Sequence, residues 1–476
     1  MRSLFFTSVI VLITAVCLST GVAQAQGERS TLNEQRPDEA AVAQSPLENQ
    51  GAINQGAIPV EVRQNADGGW TLYRGGEPYY IRGVGGLTHL DRAAAYGANS
   101  IRTWGAGEAI NVLDEAHEKG LSVLFGLWVG QERQGFDYND GKAVAAQLAR
   151  FREVVRTYKD HPAILMWGVG NENDLFYEDF KVWDAINDIA EMIHEEDPNH
   201  PVMHVTAGLD VAEVQLIMDR APAIDVYGVN TYGELVGGTS ELRSYGYEGP
   251  SVGRQLRRAG WDGPYVIAEW GPDGHWEVPK TEWGVPIEQT SHEKAQMYRI
   301  RYERGIAADS THNIGSYAFL WGDKQETTPT WYGIFTPGGY ETEVLDQLQH
   351  IWTGEWPENR APSLLSLTAN GEGAFDDVYV DPGDVVTFEA DVTDPEGETL
   401  RYEWELLPES TDIRAGGDAE TRPDAVELNV TDREEGMISV RVPRQVGPYR
   451  MFVYAYDNHG NVATANIPFY IGQPIP

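Results

Sequence analysis

Short hydrophobic runs alternate with amphipathic segments along most of the chain from Tyr80 to Trp352. The runs predict strands, and the segments between them carry apolar residues at helical spacing. Such alternation predicts an α/β fold with a parallel sheet, and eight units favour closure into a (β/α)8 TIM barrel. The predicted strands are Tyr80–Gly86, Ala98–Gly105, Ser122–Val129, Ile164–Asn171, Pro201–Ala207, Ala223–Tyr232, Pro264–Trp270 and Ile314–Trp321. The predicted helices include Ala109–Lys119, Lys142–Tyr158, Phe180–Glu196 and His292–Ala308.

A doubly wound open sheet is the alternative architecture for this pattern. It would require a glycine-rich phosphate turn after an early strand, and Gly83-Val-Gly-Gly86 does not match that turn. The alternating region is also close to the roughly 250 residues typical of a closed barrel. The barrel is therefore the predicted fold.

A short β-rich segment precedes the barrel. Val60–Val62 and Trp70–Tyr73 flank a turn at Asn65–Gly69, which predicts a hairpin that can plug the lower mouth of the barrel. We assign residues 60–355 to the barrel with this hairpin.

Helical periodicity ends at Glu358–Pro362, and alternating strands follow. They predict an immunoglobulin-like β-sandwich over residues 362–474, which either binds polysaccharide or serves as a spacer. Its Asp-rich turns are candidates for calcium, although acidic turns are more often simply solvated. The predicted strands are Val385–Val392, Leu400–Leu406, Met437–Val442, Tyr449–Tyr456 and Ala463–Ile471.

The N-terminal residues predict export. Arg2, the apolar stretch from Leu4 to Leu18 and Ala23-Gln-Ala25 fit a cleaved signal peptide over residues 1–25. An uncleaved anchor is the alternative, and a lipoprotein at Cys17 is a weaker one. Residues 26–59 are polar and predict a disordered linker. We expect a bacterial protein that is secreted or periplasmic, without stable membrane insertion after cleavage.

Charge and cysteine content restrict the partners. The chain has 35 Lys and Arg against 73 Asp and Glu, a formal net charge of −38, which disfavours nucleic acid and other polyanions. Cys17 is the only cysteine in the sequence, so the mature chain would have no disulfide. A neutral polymer is a better partner for such a surface.

Two predicted strands end in glutamates. Ile164–Val169 leads through Gly170 to Asn171 and Glu172, and Pro264–Ala268 leads to Glu269. The carboxyl ends of barrel strands are where catalytic groups lie. A pair of carboxyl groups there can supply the acid and the nucleophile that cleave a glycosidic bond.

These residues resemble the retaining glycoside hydrolase clan that has paired glutamates on strands four and seven. The resemblance covers roughly residues 78–355 and is nearest to the family-2 catalytic domain. Tyr80-Ile-Arg-Gly-Val84 and Gly228-Val-Asn-Thr-Tyr232 are distantly similar to β-1,3-glucan transglycosylases. The resemblance to the retaining glycoside hydrolase clan implies that Glu172 is the acid/base and Glu269 the nucleophile.

Other predicted strand ends agree with this pattern. Arg102 and Tyr232 are expected to hydrogen-bond Glu269, and Asn171 to hold the sugar 2-hydroxyl. Aromatic rings suit the apolar faces of sugars. The candidates for substrate contact are Trp104, Trp128, Trp270, Trp321, Trp331, Tyr332 and Trp276.

Other chemistries lack their motifs. The sequence has no His-Glu-x-x-His pattern or cysteine cluster for a metal and no Gly-x-Ser-x-Gly elbow for a serine hydrolase. No cofactor is expected.

We therefore expect a retaining β-glycoside hydrolase acting on a neutral β-linked oligo- or polysaccharide. Long aromatic loops after strands six, seven and eight favour several sugar subsites. A β-glucan transglycosylase using the same glutamates is the alternative, with acceptor platforms at Trp276, Trp283, Trp331 and Tyr332. A non-catalytic carbohydrate-binding protein is a more remote one.

Overall fold

A computed structural model describes residues 56–236 and 251–473. The predicted signal peptide, nearly all of the predicted linker, and Tyr245 and Tyr247 in the loop after the sixth strand lie outside these residues. Within the described ranges, no helix has the length and apolarity needed to cross a membrane.

The predicted hairpin is present and lies beneath the barrel. Its strands are β1 (Val60–Gln64), β2 (Trp70–Arg74) and the short β3 (Glu77–Pro78), paired antiparallel. The backbone N–H of Val60 donates to the Asn199 carbonyl, and that of Trp70 donates to the Thr311 carbonyl. Both acceptors precede barrel strands, so the hairpin covers the N-terminal mouth and leaves the opposite mouth to the site.

Eight parallel strands form a closed barrel in sequence order, as predicted. The last strand pairs with the first, with Gly315 opposite Ile81. The strands are β4 (Ile81–Gly85), β5 (Ser100–Arg102), β6 (Ser122–Leu127), β7 (Ile164–Val169), β8 (Val202–Ala207), β9 (Val226–Asn230), β10 (Tyr265–Trp270) and β11 (Asn313–Ala318).

Helices cover the outside of the barrel, which explains why its strands are apolar on both faces. One hydrophobic cluster fills the interior, with Leu124, Met166 and Met203, and a second lies between strands and helices, with Phe125 and Trp167. The described helices are α1 (Leu90–Ala95), α2 (Ala106–Glu118), α3 (Gly141–Tyr158), α4 (Lys181–Glu196), α5 (Val211–Arg220), α6 (Val252–Ala259), α7 (Ser291–Arg301) and α8 (Glu343–Thr353).

Short polar side chains set where several helices begin. The Asp140 carboxylate accepts from the backbone N–H of Lys142 at the start of α3. Thr290 and Glu293 form a reciprocal capping box at the start of α7. The predicted helix His292–Ala308 is not uniform, because α7 ends at Arg301 and a π-helical turn continues over Tyr302–Ile306.

The C-terminal residues form a β-sandwich of two four-stranded sheets. Phe388 from one sheet packs against Phe469 from the other, with ring centroids 5.5 Å apart. The sheets have the orders β12-β14-β17-β16 and β13-β19-β18-β15. The strands are β12 (Ser363–Ala369), β13 (Tyr379–Val380), β14 (Val385–Thr393), β15 (Arg401–Pro408), β16 (Asn429–Glu434), β17 (Met437–Arg441), β18 (Gly447–Tyr456) and β19 (Val462–Ile471).

Buried polar contacts join the sandwich to the barrel. Lys294 of α7 donates to the Glu288 carboxylate at 2.5 Å, and Asn466 of β19 donates to the same carboxylate at 2.6 Å. All of these side chains are less than a tenth exposed. Buried charged groups need such partners, so the two domains depend on each other for this network.

Candidate active site

The chain turns sharply after β7 and delivers Glu172 to the open mouth. Gly170 has a φ of +77°, and a Cβ there would lie 2.3 Å from the Asn173 amide oxygen. Glu172 itself has a φ of +51°, a left-handed conformation that is uncommon for a residue with a side chain. Its backbone N–H donates to the Val205 carbonyl at 2.9 Å, which fixes the turn against β8.

A bulge near the end of β10 turns Glu269 into the barrel. The register of β10 against β9 shifts between Ile267 and Glu269. Ala268 belongs to the interior cluster, and strict alternation would send Glu269 outward and Trp270 inward. The bulge reverses this order, because an extra residue changes which face the next side chains occupy. Glu269 therefore faces the site and Trp270 the helices.

Three side chains donate hydrogen bonds to the Glu269 carboxylate. Arg102 Nη1 lies 3.0 Å and Trp104 Nε1 2.9 Å from Oε1, while the Tyr232 hydroxyl lies 3.0 Å from Oε2. Gly126 allows this arrangement, since a Cβ there would lie 2.4 Å from the Thr103 carbonyl oxygen and the Trp104 backbone. The carboxylate is thus fully oriented by its partners.

Asn230, at the end of β9, links the two glutamates. Its Nδ2 donates to Glu172 Oε1 at 2.8 Å, and its Oδ1 accepts from Arg102 Nη1 at 3.1 Å. Arg102 also donates through Nη2 to Asn171 Oδ1 at 2.6 Å. One guanidinium therefore holds Glu269 directly, and Asn171 and Asn230 through their amide oxygens.

The two carboxyl groups lie in different surroundings. Burial, followed by the negative charge of Glu269, raises the pKa of Glu172 from 4.5 to about 7, against the opposing effects of Asn230, Arg102 and Arg133. Among the described residues, one side chain donates a hydrogen bond to Glu172 and three donate to Glu269. Two carboxyl groups in such different surroundings can take different roles, one as a proton donor and the other as a nucleophile.

Six of the predicted residues meet at one point. They are Arg102, Trp104, Asn171, Glu172, Tyr232 and Glu269. Trp276 lies beside them: its ring is 5.7 Å from that of Tyr232, and the residue is 57% exposed. Trp128 lies half-buried after β6 and donates to Gln134 at 3.3 Å, so its contact with substrate stays a prediction.

Four other aromatic predictions need correction, because protein atoms cover these rings. Trp270 is fully buried and packs on Tyr298, and Trp321 packs on Phe335 outside the site. Neither ring is available as a substrate platform.

The other two rings, Trp331 and Tyr332, are also almost fully buried. Tyr332 lies 5.6 Å from Tyr232, and Trp331 donates its indole N–H to the Asp273 carbonyl. They support the site from behind instead of facing its opening. Trp283 was predicted as an acceptor platform, but its ring packs against Tyr379 of the sandwich.

Three further residues at the site were not predicted from the sequence. Asn230 carried a signal, since it is a polar residue at the end of an apolar strand. Gln131 donates to the Asn171 carbonyl at 2.7 Å, and Glu326 is buried near Glu269. These two lie in loops, where no periodicity indicates which side chains turn inward.

The fold and the site agree with a family comparison. Residues 96–246 match the sequence model described as "Glycosyl hydrolases family 2, TIM barrel domain". The match covers part of the barrel and agrees with the resemblance expected from the sequence.

Solved structures similar to this chain include three bacterial β-glucuronidases. One from Bacteroides uniformis is 15% identical, with 88% of this chain and 48% of that chain covered and a TM-score of 0.47. One from Dictyoglomus thermophilum is 20% identical, with coverages of 63% and 54% and a TM-score of 0.47. One from Ruminococcus gnavus is 14% identical, with coverages of 62% and 52% and a TM-score of 0.49. The chain spans about half the length of these matched structures.

Proposed function

We propose that this protein hydrolyses a neutral β-linked oligo- or polysaccharide with retention of anomeric configuration. Glu269 is the nucleophile and Glu172 the acid/base. The unequal surroundings of the two carboxyl groups carry this proposal. Three donors orient the Glu269 carboxylate, while burial and the charge of Glu269 favour a protonated Glu172.

The first step forms a glycosyl-enzyme ester. A Glu269 carboxylate oxygen attacks the anomeric carbon, the bond from that carbon to the leaving oxygen breaks, and Glu172 transfers its proton to that oxygen. Tyr232 and Arg102 keep the attacking carboxylate in place. Because its surroundings are already arranged, little reorganisation is needed as charge moves.

The second step returns both glutamates to their starting states. Glu172, now ionised, takes a proton from water as the water oxygen attacks the anomeric carbon. The ester bond to Glu269 breaks, and its carboxylate is restored. Two inversions at the same carbon give net retention.

Asn171 is placed to bind the sugar beside the reacting carbon. Its Oδ1 accepts from Arg102 at 2.6 Å and from Asn230 at 3.0 Å, which fixes the orientation of the amide. Its Nδ2 makes no hydrogen bond within the part of the chain that the structure describes. That donor is free to bind the sugar 2-hydroxyl, a contact that strengthens in the transition state.

Charge pairing near the site favours a neutral substrate. Arg102 is paired with Glu269, Arg133 with Asp418, and Lys324 with Glu326. An acidic sugar would have to compete with these carboxylates for its counterion. The net charge of −38 acts in the same direction.

Hydrolysis is favoured over glycosyl transfer by the aromatic residues. Transfer requires platforms that hold an acceptor sugar against competition from water. Of the four candidates, Trp276 is exposed, while Trp331 and Tyr332 are buried and Trp283 packs on the sandwich. Catalysis is favoured over mere carbohydrate binding because both glutamates and their supporting donors are present.

A substrate panel tests this function. We expect the wild-type protein to release β-configured product from at least one of the β-1,2-, β-1,3-, β-1,4- and β-1,6-glucans or β-galactans, as followed by proton NMR. Products longer than the substrate would indicate transfer. Cleavage of aryl glycosides without cleavage of any polymer would contradict the polysaccharide assignment.

We also propose that the protein acts outside the bacterial cytoplasm. The N-terminal sequence supports export from a bacterial cytoplasm. N-terminal sequencing of the protein from the periplasm or medium is expected to begin near Gln26, after the Ala23-Gln-Ala25 cleavage motif.

A further inference from the structure

A loop of the C-terminal sandwich reaches the mouth of the barrel. It comprises residues 409–428, between β15 and β16, and we call it the sandwich loop. It contacts the barrel at two places, each of which follows the carboxyl end of a barrel strand. The first lies after β6 and the second after β11.

At the first place, Asp418 holds two neighbouring residues of the barrel. Its Oδ2 accepts from Arg133 Nη1 at 2.6 Å, and its Oδ1 accepts from Gln134 Nε2 at 2.8 Å. Gln134 in turn accepts from the Trp128 indole, and Arg133 also donates to the Ala415 carbonyl. The positive charge of Arg133 acts on Glu172 and lowers its pKa.

At the second place, the sandwich loop holds the segment that carries Glu326. Lys324 Nζ donates to the Gly417 carbonyl at 2.6 Å and to Glu326 Oε2 at 2.8 Å. The Thr327 backbone N–H donates to Glu420 at 2.6 Å. Glu326 is 5% exposed and lies close to Glu269, so that burial, together with the charge of Glu269, raises the pKa of Glu326.

The barrel has only short loops on the side where the sandwich loop contacts it. Between β11 and β6 in the barrel lie β4 and β5, and their following loops span only residues 86–89 and 103–105. The loops after β10 and β11 extend over residues 271–290 and 319–342 before the next helices begin. The loops after β4 and β5 are therefore too short to form a wall of the substrate cleft, and another part of the chain would have to supply it.

We propose that the sandwich loop forms this missing wall of the substrate cleft, so that the sandwich selects extended carbohydrate chains as part of the active site. The inference rests on the proposed function. Asp418 and Glu420 are its positioning residues, since they act through Arg133, Gln134 and Thr327. A sandwich that served only as a spacer would not need contacts with Arg133, whose charge acts on Glu172, and with Lys324, the partner of Glu326.

Kinetics on two substrates of different length test the proposal. Asp418→Ala and Glu420→Gln are compared with wild type on a longer β-linked gluco- or galacto-oligosaccharide and on the 4-nitrophenyl β-glycoside of the same sugar. We expect KM for the oligosaccharide to rise about tenfold, with kcat/KM for the aryl glycoside changed less than about threefold. Glu420→Gln keeps the shape of the side chain, so it provides the test if Asp418→Ala folds poorly.

Asp424→Ala is the matched control. It removes one carboxylate from the same loop, and Asp424 is exposed and makes no hydrogen bond in the described part of the chain. It should behave as wild type on both substrates. Equal losses on both substrates, or no loss on either, would overturn the inference. A wild-type protein that cleaves neither substrate would instead contradict the proposed function.

Discussion

Asn230 donates to the Glu172 carboxyl group at 2.8 Å while accepting from Arg102, the residue that holds Glu269. A single amide thus connects the surroundings of the proposed acid and the proposed nucleophile. Since a hydrogen bond to the ionised form lowers a carboxyl pKa, Asn230 partly opposes the effect of burial on Glu172. The geometry of one glutamate is therefore coupled to the protonation of the other.

Replacing Asn230 tests this coupling. Asn230→Ala removes a donor that lowers the pKa of Glu172, so the basic limb of the kcat/KM profile should move to higher pH. We also expect kcat to fall about tenfold or more, because Arg102 and Asn171 lose a partner. The measurement is a pH–rate profile, with Asn111→Ala on the exposed face of α2 as control. A basic limb that stays in place or moves down would contradict the assignment.

The raised pKa of Glu172 also predicts how stability depends on pH. Burial raises the value from 4.5 to about 7, so the folded protein binds this proton more tightly than the unfolded chain does. Stability should therefore decrease as pH rises through that window. The neutral Glu172→Gln variant avoids this loss and should be more stable than wild type at pH 8 by about 1–3 kcal/mol.

Urea unfolding at pH 5 and pH 8 measures this difference. The two proteins should differ less at pH 5, where Glu172 of the wild type is largely protonated. A Glu172→Gln variant that is no more stable at pH 8 would show that the site does not disfavour the carboxylate.

Trp276 is an exposed ring at the mouth, and its removal should affect long substrates most. Trp276→Ala is expected to raise KM for an oligosaccharide about tenfold, the size of a lost ring contact of about 1.4 kcal/mol. Turnover of an aryl glycoside should change little. Trp356→Ala is the control, because Trp356 is also exposed but stacks on His350 of α8. Equal effects of the two substitutions would reject Trp276 as a sugar platform.

Breaking the buried Lys294–Glu288 ion pair of the barrel, which contacts Asn466 of the sandwich, should destabilise the protein strongly. Lys294→Met leaves the Glu288 carboxylate buried without its cation and is expected to cost about 3–5 kcal/mol in the free energy of unfolding. Lys119→Met, at an exposed position after α2, should cost much less. Denaturant unfolding compares the two, and a loss below about 1 kcal/mol for Lys294→Met would show that the network is not important for stability.

Much of the fold and the centre of the site could be predicted from the sequence. Most barrel strands are rich in apolar residues, and Asn171, Glu172 and Glu269 stand out as polar residues at or just after the ends of β7 and β10. Strand β16 was missed because Asn429–Glu434 is exposed throughout and has no apolar alternation.

Side-chain direction near the bulge was less predictable. Glu269 and Trp270 are adjacent, and either could face inward until the register shift in β10 is known. The contacts of Asp418 with Arg133 and Gln134 could not be predicted from sequence patterns either. They join loops that are almost three hundred residues apart, and no local periodicity records such a meeting.

Covalent trapping tests the central claim most directly. A 2-deoxy-2-fluoro glycosyl fluoride of the sugar that the panel identifies slows both steps, but its good leaving group still lets the glycosyl-enzyme form and persist. Mass spectrometry of a protease digest should then locate one fluorosugar on the peptide that contains Glu269, and Glu269→Gln should remain unlabelled. A label on Glu172, or inversion of configuration during turnover of the natural substrate, would contradict the account.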